Sequence, residues 1–329
     1  MSSTTTTQTA QPVVGTLKLR TEADSTPEYL EELHSKGYVV VPNVIPQDKA
    51  AEYVNDANEW LKGFGKGFDI NDKSTWNVDN LPPHYRGGLY NALGVGHEDL
   101  LWRIRLEPEL INVFAKIWGT DELLVSFDGA NFSVPLPPSQ VQNGGRPWPH
   151  YDQTPLKRGL ECIQGIANLA PNGEDDGGLM VLDGSFPLWH DFIAAFEGTV
   201  EWPKIDSFHH TDEQLQWFYD RGCTWRKICA PAGSLILWES RTIHYGAAPK
   251  EGANPRYATY VCYKPAAHCP PAHLEARKEA IRDSQNMSHN PCDARKVNKN
   301  WTDVRDKPSK PFNFESSERA RKLAGLTSY

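Results

Sequence analysis

The sequence predicts a mainly β domain, an antiparallel sandwich or jelly roll, preceded and decorated by helices. Two observations carry this. From Leu123 onward the pattern changes to short runs of β-branched or aromatic content separated by clusters of Gly, Pro and Asn, as strands and their turns require. No helical period alternates with those runs, which argues against a doubly wound parallel sheet. With 39% hydrophobic residues and 11 Trp, 12 Tyr and 12 Phe, the chain can fill a large core.

The elements follow in order. The start, to about Ala23, is Ser/Thr/Gln-rich at first and lacks apolar periodicity, the composition of a mobile tail. Thr26 then reads as an N-cap with Pro27 at the first helical position, and Tyr29, Leu30 and Leu33 recur at helical spacing until Gly37. Tyr38–Val41 reads as a strand. A second helix, Gln47 to Leu61, gathers Ala50, Tyr53, Val54, Ala57 and Leu61 on one face, and a third covers Leu106 to Trp118. Strands are expected at Leu123–Val134, Glu161–Leu169, Leu179–Leu182, Thr224–Cys229, Ser234–Trp238 and Tyr257–Tyr263. A charged helix at His273–Ser284 leads into a polar extension without a clear period. The chain therefore divides into a tail (1–23), a single jelly-roll domain (24–268) and a helical or irregular extension (269–329). That extension is a candidate homodimer contact.

Composition narrows the partners. A net charge of -8 argues against nucleic acid or an anionic membrane as partner, and a small molecule fits better. The first 30 residues carry neither a basic start nor an apolar core, and no run approaches the roughly 20 apolar residues of a membrane span. The six cysteines form no C-x-x-C pair, so a reducing, cytoplasmic setting is expected. The sequons at Asn131 and Asn300 carry little weight in that setting. Gly63-Phe64-Gly65-Lys66-Gly67 lacks the spacing and context of a phosphate loop and reads as a loop near an entrance.

The chemistry lies in Pro149-His150-Tyr151-Asp152-Gln153. In an extended segment a period of two puts His150 and Asp152 on one side, so imidazole and carboxylate can reach one ion. His244, 94 positions after His150, is the third candidate, a separation that lets a jelly roll return beside its first strand. Two imidazoles and one carboxylate on one face of an octahedral ion leave three positions open, the arrangement of non-haem Fe(II) oxygenases. A chelating 2-oxo acid would take two and O2 the third. Its far carboxylate needs a planar, permanently charged, bidentate partner, and Arg256 stands 12 positions after His244 at the start of the next strand.

These residues, with Gly177-Gly178-Leu179-Met180-Val181-Leu182-Asp183-Gly184-Ser185 and Pro231-Ala232-Gly233-Ser234, resemble the phytanoyl-CoA dioxygenase family of iron and 2-oxoglutarate oxygenases, particularly its fungal and microbial members. The resemblance runs from about Gly37 to about Pro265. It implies a double-stranded β-helix, iron(II) on His150, Asp152 and His244, 2-oxoglutarate on Arg256, and O2-dependent oxidation of a small substrate, with hydroxylation the default and desaturation or ring formation open. The chain departs from the family where Asp183 and Phe186 replace a Pro and a His. Halogenases of the superfamily have a small residue in place of the carboxylate, so Asp152 argues against halogenation.

A lone H-x-D or His is more often structural than ligating; the ordered set is what favours a metal site. Asn131, Gln164 and Asn168 lie on predicted core strands, where polar side chains need partners that a bound keto acid could supply. Structural hydrogen bonding explains them nearly as well. Trp148 and Trp238 flank the ligand segments as candidate pocket walls, and Arg105 and Arg241 are weaker anion candidates. His209-His210 reads as a capped surface turn. Two other functions stay open: a cupin-like metalloenzyme that does not use 2-oxoglutarate, and a non-catalytic jelly roll that keeps a metal structurally. A small hydrophobic metabolite of secondary metabolism is the expected substrate.

Overall fold

The computed structural model describes residues 27–297, 305 and 307–329; the expected tail, the Thr26 cap and the Asn300 sequon lie outside them. In chain order the elements are α1 (Glu28–Lys36), β1 (Tyr38–Val41), α2 (Gln47–Lys62), β2 (Leu89–Tyr90), α3 (Asp99–Arg105), α4 (Pro108–Trp118), β3 (Leu123–Val125), β4 (Ala130–Ser133), β5 (His150–Tyr151) and β6 (Ile163–Asn168). There follow β7 (Gly178–Asp183), α5 (Trp189–Phe196), β8 (Phe208–His209), α6 (Asp212–Tyr219), β9 (Thr224–Lys227), β10 (Ser234–Glu239), β11 (His244–Ala247), β12 (Arg256–Pro265), α7 (Pro271–Arg282) and α8 (Glu318–Ala324).

Two antiparallel sheets form the double-stranded β-helix. The larger runs β1-β10-β6-β12-β4-β2 with β3 also on β12, and the smaller runs β8-β5-β11-β7-β9. Helices cover the outside of both, which explains why β10 and β6 are buried along their whole length and do not show the alternation of a half-exposed strand. Leu235 and Leu237 face the helical layer, while Ile236 and Trp238 face inward with Ile166 from β6 and Leu179 and Val181 from β7. Burying each of those leucines contributes roughly 1.5–3 kcal/mol. The outer face of the smaller sheet is sealed by α5 and α6, whose Phe192, Ile193, Leu215 and Phe218 pack on Tyr151 and Leu182.

Turn chemistry fixes the chain path. Gly37 ends α1 in the left-handed region, φ 79°, accepting no side chain because Phe186 and Thr242 crowd the site of a Cβ. Gly233 has φ 78°, and a Cβ there would meet the Ile45 carbonyl, which its own backbone must pass; its carbonyl receives Val44 N–H and Ile45 N–H, both at 2.9 Å.

Several expectations need correction. Pro27 is the N-cap of α1 and not its first helical residue. The expected Leu106–Trp118 helix is α4 alone, starting at Pro108, and a separate α3 precedes it, since Pro108 favours a helix start and bars continuation. The single strand expected over Leu123–Val134 is two, parted at residues 126–129. His210 is not at the surface: its ring is buried against Tyr151, Phe192 and Phe208. Beside it, α6 starts at a capping box in which the Thr211 side chain accepts from Gln214 N–H and the Gln214 side chain accepts from Thr211 N–H.

The described residues from 269 onward pack into their own chain. Ala280, Met287, Ala294, Ala320, Leu323 and Ala324 join the main core, and the Arg277 guanidinium donates to the carbonyls of Val125, Pro291, Leu323 and Ala324. Among the described residues no helix is long and apolar enough to cross a membrane.

Candidate active site

β5 and β11 lie side by side with His150 opposite His244 in register. Each imidazole is oriented from behind: His150 Nδ1–H donates to the Trp148 carbonyl (3.1 Å) and His244 Nδ1–H to the Thr242 carbonyl (3.0 Å). A carbonyl only accepts, so these bonds select the tautomer whose Nε2 lone pair is free. Both Nε2 atoms face Asp152, His150 at 3.4 Å from Oδ1 and His244 at 3.2 Å from Oδ2. One donor atom from each of the three residues lies within 4.8 Å of the others, the separation that ligands of a common ion need. The donor set, two imidazoles and a carboxylate, suits iron(II) and fits it here.

Electrostatics favour the ligand state of His150 and of Asp152. Burial, and then the neighbouring His244, push the His150 imidazole down, towards its neutral form. Burial would push the Asp152 carboxyl up, but the imidazoles of His150 and His289 outweigh it and hold the group well below the usual carboxylate range. Gln164 Nε2–H donates to Asp152 Oδ2 at 2.9 Å, and the Asp152 N–H is fixed to the Ser240 carbonyl at 3.1 Å. Gln164 thus steadies the carboxylate and does not simply line the strand.

The triad opens into a cavity of about 300 Å³. Arg256 lines it from the start of β12, opposite Ser133 of β4. Its side chain is buried, and among the described residues no carboxylate lies within salt-bridge distance of it. A buried guanidinium without an anion is costly, and the cavity is where an anion would enter. Asn131 also lines the cavity, its Oδ1 buried and without a partner among the described residues. Trp148 stacks on His150 at 4.3 Å between ring centroids, the Arg86 guanidinium lies 3.8 Å above Trp148, and Trp238 sits 5.2 Å from His244.

Other expected residues lie elsewhere. Asn168 shares strand parity with Gln164, but its Nδ2 donates to the carbonyls of Ala170, Ala230 and Pro231, and it does not line the cavity. It ties the end of β6 to the turn before β10. Arg105 is spent on the carbonyls of Gly96 and Asp128, and Arg241 pairs with Glu239. Residues 63–67 do not line the cavity, and neither do Asp183, paired with Arg226 at 3.2 Å, or Phe186, beneath Gly37. The departures at those two positions therefore leave the cavity wall untouched.

Sequence reasoning missed Arg86, Asn91, Asp128, Met287 and His289, all of which line the cavity. Arg86 alone carried a structural signal, a non-glycine residue at φ 47°. The others come from short loops and from the segment after α7, where no period marks which side chain points inward.

No family model matches the sequence. Ava biosynthesis cluster protein O of Aspergillus versicolor is 36% identical over 299 residues, which cover 88% of this chain and 95% of that protein. A Dictyostelium discoideum protein named "Putative phytanoyl-CoA dioxygenase" is 23% identical, over 75% of this chain and 77% of its own. Among solved structures, GlcNAc Inducible Gene 2 of Candida albicans superposes with a TM-score of 0.60 at 13% identity, over 92% of this chain and 77% of that one, a likeness of fold.

Proposed function

The chain belongs to the phytanoyl-CoA dioxygenase-like family of iron and 2-oxoglutarate oxygenases, and we propose that His150, Asp152 and His244 hold its iron while Arg256 anchors its 2-oxoglutarate. The observation that carries this is the meeting, in one cavity, of three converging ligand atoms and a buried arginine with no carboxylate partner among the described residues. Iron with 2-oxoglutarate supplies the oxidising chemistry: O2 is reduced, the keto acid leaves as succinate and CO2, and a C–H bond of the substrate is oxidised.

The chain's own residues supply position and environment. The Trp148 and Thr242 carbonyls aim the two imidazoles, and Gln164 fixes the carboxylate between them. Arg256 offers a planar fork to the far carboxylate of the keto acid, with Asn131 beside it on the neighbouring strand. A cupin-like enzyme without 2-oxoglutarate would leave that guanidinium without a role. Trp148, Trp238, Ile166 and Leu179 give the cavity apolar walls that exclude water and receive a hydrophobic compound.

The substrate in this reading is a small, largely apolar metabolite of secondary metabolism, which the name of the Aspergillus relative supports. Hydroxylation is the default outcome, and Asp152 argues against halogenation. Six unpaired cysteines support a reducing, intracellular setting. A homodimer would have to dock on faces other than those the segment after Cys269 spends on its own core.

The test is iron stoichiometry. The wild-type protein should bind one iron(II) per chain under anaerobic conditions, and folded His150→Ala and Asp152→Ala proteins should lose at least 90% of it, on the order expected when one of three ligands is removed. Full retention in both variants would sink the assignment.

A further inference from the structure

We propose that Asn91, Asp128 and His289 form a polar corner of the cavity that binds a hydroxyl group of an otherwise apolar, ring-containing substrate, with His289 as its positioning residue. This rests on the oxygenase reading of the cavity. Three separate segments meet there: Asn91 directly follows β2, Asp128 sits in the break between β3 and β4, and His289 belongs to the segment after α7. All three line the cavity.

The corner is built and not accidental. Met287 N–H donates to the Phe127 carbonyl at 3.1 Å, Gly96 N–H to Asn286 Oδ1 at 3.3 Å, and Met287 bridges Lys296 across a hairpin that Val297 N–H closes on the Asn286 carbonyl at 2.9 Å. His289 is thereby pinned beside the 126–129 break. On the other side, a Cβ placed on Gly129 would come within 2.8 Å of Asn91 Cα, so the backbones on either side of Asn91 and Asp128 are in contact.

Despite this packing, Asn91 Oδ1 and His289 Nε2 are buried without a hydrogen-bond partner among the described residues. Asp128 receives the N–H of its own neighbour Gly129 at 2.7 Å and forms no ion pair with any described residue. Most buried polar atoms in native proteins are satisfied, and leaving these two open into a cavity is costly unless a ligand completes them. Asn91 Oδ1 and the Asp128 carboxylate accept, and an imidazole nitrogen donates or accepts according to its tautomer. A hydroxyl, both donor and acceptor, answers that mixture. The Asp128 carboxylate at this corner disfavours an anionic group. The surrounding wall is apolar, from Trp148, Trp238, Ile166, Leu179, Tyr260 and Val297, which suits a ring and not a polyol.

The probes are 2-naphthol, 2-methoxynaphthalene, naphthalene and 2-naphthylmethylamine, titrated calorimetrically into protein loaded with Zn(II) and 2-oxoglutarate so that no turnover occurs. In the wild type, 2-naphthol should bind at least tenfold more tightly than 2-methoxynaphthalene, the loss expected when a hydrogen bond to a buried group is removed. In His289→Leu that preference should fall below threefold while naphthalene binding stays within threefold of wild type, and His289→Gln should recover part of it. No preference in the wild type, an unchanged preference in His289→Leu, or tighter binding of the ammonium probe would each overturn the proposal. A wild type that takes up Zn(II) but not 2-oxoglutarate would instead sink the oxygenase reading, and the proposal with it.

Discussion

Replacing Arg256 with Gln should weaken 2-oxoglutarate binding by about 30-fold to several thousand-fold. The magnitude follows from the setting of the guanidinium. It is 7% exposed, faces the cavity and has no carboxylate partner among the described residues. Lys227 is a like-charged neighbour of Arg256, so the far carboxylate of a bound keto acid would supply the opposite charge that the described residues do not, in a water-poor site. Truncating one member of such a buried, hydrogen-bonded charge pair costs about 2–5 kcal/mol, and each 1.4 kcal/mol is about tenfold. Arg256→Lys should recover only part, because an ammonium cannot reproduce the two parallel bonds. The assay is calorimetric titration of Zn(II)-loaded protein with 2-oxoglutarate and, in parallel, with 2-oxobutanoate, which chelates a metal through the same atoms but lacks the far carboxylate. Binding of 2-oxobutanoate should change by less than about threefold. The apo variant should be no less stable than wild type, since an unpaired buried charge contributes desolvation cost and no ion pair. Retained 2-oxoglutarate affinity, equal loss for both acids, or a large fall in apo stability would each refute the reasoning.

Three further outcomes follow. Gln164→Leu removes the amide that holds Asp152 and should lower iron affinity about 10- to 100-fold with the fold intact, read by competition against a chelator. Asn168→Ala strips the turn carbonyls of Ala170, Ala230 and Pro231 of their donor; it should cost about 1–3 kcal/mol in urea unfolding and leave the KM for 2-oxoglutarate unchanged. Burial pushes the His97 imidazole down to about 4, against a smaller opposing effect of the Gln285 carbonyl. The unfolded chain binds that proton more readily, so stability is full above about pH 6.5 and falls towards pH 4, by about 2 kcal/mol at pH 5. In His97→Gln the drop between pH 7 and pH 5 should be smaller by about that amount; an identical drop would show that His97 does not carry it.

The parts of this architecture that repeat were legible in the sequence. β1, β6, β10 and β12 are long or strongly apolar, and their runs reveal them. The two-residue spacing of His150 and Asp152 and the return of the chain at His244 are geometric consequences of extended backbone. β2, β5 and β8 have two residues each, too few for any period to show. Asn168 shows the limit of parity: it lies on the inner face with Gln164, yet at the strand end the nearest acceptors are turn carbonyls and not the cavity. Asn91, Asp128 and His289 were illegible for a different reason. Each is a single polar residue in an irregular segment, and only the folded chain brings the three to one corner.

The most direct test of the central claim is succinate release. With iron(II), 2-oxoglutarate and O2, the purified wild-type protein should form succinate, even without substrate, at a rate above that of free iron. Asp152→Ala, shown folded by circular dichroism, should reduce this to the free-iron background. Succinate formation by Asp152→Ala at the wild-type rate would contradict the account, because the carboxylate between His150 and His244 would then be dispensable for the chemistry assigned to it.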